Sequence, residues 1–75
     1  MTYEYRVFVE GPEEISVSHF SSEKLWEGAT FRASKPGHDV DGKVLVVYRL
    51  VSHPTEHGPG IAHGRVSATE KEPWQ

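Results

Sequence analysis

KVLVVYRLV, residues 43 to 51, is the stretch on which the fold turns. β-branched and aromatic side chains dominate it and no glycine, proline or asparagine interrupts it, which is the composition of a pleated strand. Val44, Val46, Tyr48 and Leu50 would share one face and are expected to point inward; Leu45, Val47 and Val51 make the other face largely apolar as well. Nine residues at ~3.3 Å each reach about 30 Å, whereas a compact chain of this length has a radius of gyration of only ~11 Å. A strand that crosses the whole molecule should twist or bend, as barrel strands do.

Upstream, TYEYRVFVE alternates Tyr3, Tyr5, Val7 and Val9 with Glu4, Arg6 and Glu10, the period of two expected of a first strand. Gly11 and Pro12 turn the chain, and residues 14 to 20, EISVSHF, alternate again as a second strand hairpinned to the first. SSEKLWEGA supports one short helical turn at most, because Gly28 stops it. Residues 30 to 33 resume strand character with Phe31 inward. SKPGHDVDG carries two turn signals, Pro36-Gly37 and Asp41-Gly42, and is expected to be an exposed hairpin loop. After the 43–51 strand, HPTEHGPG interrupts and IAHGRVSAT reads as a fifth strand. Its inward face would be Ala62, Gly64, Val66 and Ala68, small enough for close approach to a bulky neighbour such as Trp26 or Tyr5. Residues 1–69 are read as a single domain and 70–75 as a polar tail.

Short strands separated by frequent turn signals, without a long amphipathic helix, predict an all-β fold: a small, five-stranded, partly open antiparallel barrel. LWEGATF, residues 25 to 31, resembles the loop-to-strand approach of SH3-like small barrels, although Ala29 stands where such loops often carry an aspartate. That resemblance implies an SH3-like architecture and carries no functional residue. A β-grasp-like fold is disfavoured by the missing helix.

The 75 residues leave room for one core. The absence of cysteine excludes disulfides, thiolate zinc sites, iron–sulfur clusters and cysteine nucleophiles, and is compatible with a reducing cytoplasm. Strand character begins at Tyr3 and the longest apolar run is Val44 to Tyr48, so neither a signal peptide nor a membrane span of ~20 residues is expected. Eight basic against eleven acidic residues give a net charge of −3. That balance argues against phosphate-dominated binding, and the basic residues are scattered singly along the chain.

His53, Glu56, His57 and His63 are the candidate metal ligands, since imidazole and carboxylate suit zinc or nickel. The competing reading is a hydrophilic hairpin, because Pro54 and Gly58-Pro59-Gly60 deny the helix on which an i, i+4 pair shares a face. His38, Asp39 and Asp41 read as solvated turn residues. No nucleophile motif and no phosphate-cradling glycine pattern occurs, so no catalytic residue is assigned.

Phe8 falls on the outward side of the first strand, where Leu45, Val47 and Val51 could join it, with Trp26 at the rim. Adjacent exposed apolar side chains on one sheet face mark a contact surface; alternatively a bend in the fourth strand covers them, or Trp74 of the tail lies over the patch. The sequence therefore favours a cytoplasmic, non-enzymatic module acting by protein contact, as a homodimer or an accessory subunit. A metal-binding or metal-sensing domain is second. Single-stranded nucleic-acid binding on a face with Tyr, Phe and Arg is third.

Overall fold

The alternation of Tyr3, Tyr5, Val7 and Val9 with polar neighbours builds β1 (Tyr3–Val9), and the same pattern builds β2 (Ile15–Ser21). They pair antiparallel without irregularity, Val7 opposite Val17. β3 (Thr30–Arg32), β4 (Val44–Ser52) and β5 (Gly60–Val66) complete one sheet in the order β2-β1-β5-β4-β3. The computed structural model describes residues 2–67; the expected tail, 70–75, and Ala68 lie outside them. Within them there is no helix, and the five strands curl into a half-barrel.

Three of the four pairings are antiparallel and β1–β5 is parallel. Parallel neighbours require a long crossover. Here it comprises the β2 hairpin, the 22–29 segment, β3 and β4, so the first and last strands meet at the sheet centre. The approach is close because β5 is built from small residues. A Cβ on Gly60 would stand 2.6 Å from the Tyr5 ring and 2.7 Å from the Ser52 carbonyl oxygen; one on Gly64 would stand 3.1 Å from Val7. The expected intimacy with Tyr5 is present, whereas Trp26 is exposed.

The concave side holds the core: Tyr5, Val7, Val17, Leu45, Val47 and Ala62 from the strands, closed over by Leu25, Ala29, Ala33 and Val40 from the connections. Tyr5 is fully buried, and its hydroxyl accepts the Leu25 N–H at 3.1 Å and shares a 2.7 Å hydrogen bond with His53 Nδ1. One phenol thus ties β1 to the 22–29 segment and to the β4–β5 connection. The loop 34–42 turns where expected, with Gly37 and Gly42 at positive φ and with His38 N–H to Lys35 and Lys43 N–H to Val40 hydrogen bonds. It is not wholly exposed, however, because Val40 plugs the core.

The orientation of β4 departs from expectation. Leu45 and Val47 are fully buried, while Val44 and Val46 face the outer side and Tyr48 is exposed. Both faces of this strand are apolar, so alternation alone cannot choose between them. The long strand bends as anticipated, through register shifts between Val47 and Arg49 and between Leu50 and Ser52. An extra residue at Tyr48–Arg49 reverses the phase, which is why Leu50 packs on the core as expected while Val44 and Val46 do not. Val66 lies opposite inward Leu45 but at the open end of the half-barrel, where it remains exposed.

Candidate binding face

The convex side of the sheet carries the side chains that the core does not use. On β1, Glu4, Arg6 and Phe8 alternate with buried Tyr5 and Val7; on β5, Ile61, His63 and Arg65 alternate with Gly60, Ala62 and Gly64. Register places Phe8 opposite His63 and His63 opposite Arg49, with Arg6 opposite Ile61 and Arg65 opposite Val46. The bulge then adds Tyr48 beside Arg49, so β4 presents an aromatic and a cation together where an unbroken strand would present one of them.

These residues form a continuous row across three strands. The Phe8 and His63 rings are 5.7 Å apart and tilted by 34°; His63 and Tyr48 are 6.2 Å apart and tilted by 42°. The Arg65 guanidinium carbon lies 5.5 Å from the Tyr48 ring centroid, within cation–π range. Phe8 and Tyr48 retain 38% and 39% exposure, so the face is open to a partner.

Charge is segregated by structure in a way that net charge conceals. All four arginines, Arg6, Arg32, Arg49 and Arg65, stand on strands, whereas among the described residues Glu4 is the sole acidic residue on a strand. The remaining described acids occupy turns and connections. Among the described residues the one ion pair within 4 Å is His57–Glu56 at 3.6 Å, leaving the arginines of this face without a carboxylate partner there. Phe8 and His63 themselves line an open hollow together with Glu10, Glu13 and Glu14, which makes that end of the row acidic.

The surface expected from sequence is only partly assembled. Phe8, Trp26 and Val51 are exposed, but Leu45 and Val47 have no accessible surface and cannot contact a partner. The reason is the β4 phase described above. Tyr48, His63, Arg6, Arg49 and Arg65 take their place; the sequence signal for them is an arginine within two residues of an aromatic or imidazole ring on each of three strands, as RVF, YR and HGR.

The four candidate metal ligands are dispersed. His53 is hydrogen-bonded to Tyr5, and His63 sits between Phe8 and Tyr48 on the convex face. Glu56 and His57 form the exposed tip of a tight hairpin closed by reciprocal Thr55–Gly58 backbone hydrogen bonds. Among the described residues no group of three or more His, Cys, Asp or Glu side chains could hold a metal ion, so the four expected ligands are not brought together and Thr55–Gly58 forms a polar hairpin. Asp41 likewise serves structure, its Oδ1 accepting the Lys35 N–H at 2.8 Å. No helix among the described residues is long and apolar enough to cross a membrane. Comparison of the chain with protein families, with curated proteins and with solved structures found no match.

Proposed function

We propose that this chain is a non-enzymatic contact module and that its working surface is the convex sheet face, where Phe8, His63 and Tyr48 are flanked by Arg6, Arg49 and Arg65. The observation that carries the reading is the aromatic row itself, three rings in sequence across β1, β5 and β4 with a guanidinium over the last. Exposed aromatics and arginines are the residue types that dominate binding energy at contact surfaces. A two-fold homodimer through this face would set the same patch against itself, gathering the arginines of both copies into one interface. Like charges brought together across an interface are costly. The partner is therefore a different molecule and an anionic one, engaged in the cytoplasm.

Retention on immobilised heparin at low ionic strength tests this. The wild-type chain is expected to bind despite its net charge of −3, and an Arg6→Glu/Arg65→Glu variant is expected to flow through. Lys24→Glu/Lys43→Glu makes the same change in net charge away from the strands and is expected to be retained nearly as wild type. Wild-type flow-through, or equal loss in both double variants, contradicts the reading.

A further inference from the structure

We infer that the anionic partner of the convex face is a single-stranded nucleic acid, its bases stacking on Phe8, His63 and Tyr48 and its phosphates meeting Arg6, Arg49 and Arg65. The inference rests on the face being the working surface and adds what the partner is. Cations alone would suit any polyanion. The rings narrow the choice, because a binder of carboxylates or sulfates gains little from three exposed π-faces, whereas an unpaired base offers a π-face of its own.

The arrangement of cations and rings supports the same partner. Cross-strand register makes Phe8, His63 and Tyr48 a connected path, and the arginines lie beside it on the same three strands. A single strand needs this alternation of stacking platform and positive charge along its course. A duplex hides its base faces in the stack and would meet the arginines alone. The bulge contributes directly: without the additional residue, β4 could not present both Tyr48 and Arg49 beside His63. The acidic hollow shared by Phe8, His63, Glu10, Glu13 and Glu14 marks one side of the row and Glu4 lies past Arg6 on the same face of β1, so the strand is expected to stay within the row between them.

Fluorescence anisotropy with labelled ten-nucleotide oligo-dT and oligo-U, the matching duplex and poly-glutamate decides the matter. The single strands are expected to bind more tightly than either control, with log K against log salt falling at a slope of about −2, as three phosphate contacts at ~0.7 each predict. Phe8→Leu and Tyr48→Leu keep apolar bulk but remove the π-face. Each is expected to weaken single-strand binding ~5- to 150-fold, the range measured for loss of one base–aromatic stack, while heparin retention stays near wild type. Poly-glutamate binding as tightly as the oligonucleotides would assign the face to an acidic protein instead and overturn the inference. So would leucine variants that bind oligonucleotides like wild type, or a duplex preferred to single strands. In each of those cases arginine-dependent heparin retention would leave the contact face standing, so the two readings fail separately.

Discussion

The rings of His19 and Phe31 stack at 4.0 Å between centroids, tilted by 21°, although they belong to β2 and β3, the two opposite edges of the sheet. The contact is the measure of how far the sheet curls: two strands that share no backbone hydrogen bonding meet through their inward side chains. It closes the concave side and, among the described residues, leaves the convex side as a broad sheet surface open to a partner.

That seam is expected to respond to pH. Burial disfavours the charged imidazole and lowers the pKa of His19 below its ordinary value of 6.5. In the window between the two, the unfolded chain binds the proton and the folded chain does not, so stability rises with pH. The contribution is fully present above 6.5 and is lost as pH falls through the lowered folded value. Urea midpoints at pH 7.5 and 5.5 should differ more for wild type than for His19→Phe, which keeps a ring in the seam. Equal pH dependence in the two proteins would show that His19 is not the responsive group.

Gly60 is a packing requirement. An added methyl would meet the Tyr5 ring and the Ser52 carbonyl oxygen, and Tyr5 is fully buried, so Gly60→Ala should cost ~1–3 kcal/mol through overpacking. Gly11, with nothing within 4 Å of the same added atom, is the control, and Gly11→Ala should lie within about 0.5 kcal/mol of wild type. Denaturant titration of both variants gives the comparison, and similar values for the two would contradict it.

Removing the Tyr5 hydroxyl leaves the buried Leu25 N–H without the acceptor it uses here. Tyr5→Phe should therefore destabilise by ~1–3 kcal/mol, the desolvation cost of an unpaired donor. His53→Ala removes the other, exposed partner of the same hydroxyl and should cost less, since water can replace it. Equilibrium unfolding with the two variants ranked the other way would mean that His53 anchors the phenol.

Much of the architecture was legible because most strands alternate in one clear sense. β1, β2 and the glycine-bearing turns at Gly37 and Gly42 lie where their residues indicate. The β4 face was not legible, because Val44–Ser52 has no polar half to mark the solvent side and a one-residue bulge leaves no local composition signal. Nor was the parallel meeting of β1 and β5, since pairing partners are a property of the whole chain. The candidate site was obscured for both reasons. Phe8 and Val51 were identifiable as exposed, but the arginines become a group only when register brings three strands together. Leu45 and Val47, which look like surface in sequence, are the strand's contribution to the core.

Zinc and nickel should have no effect on folding. With His53 engaged by Tyr5, His63 on the convex face and Glu56–His57 at a hairpin tip, no shared coordination is available. Thermal unfolding with equimolar Zn²⁺ or Ni²⁺ should leave the midpoint unmoved, because a ligand stabilises the native state only by binding it. A metal-dependent rise that His53→Ala or His63→Ala abolishes would restore the metal reading.

The most direct test of the account is a nitrogen-15 correlation spectrum of the labelled chain titrated with ten-nucleotide oligo-dT at low salt. Shifts are expected to concentrate on the backbone amides of Arg6, Phe8, Tyr48, Arg49, His63 and Arg65, with Thr55–Gly58 and the 34–42 loop unmoved. Shifts centred on either of those loops, or an unchanged spectrum at millimolar oligonucleotide, would contradict it.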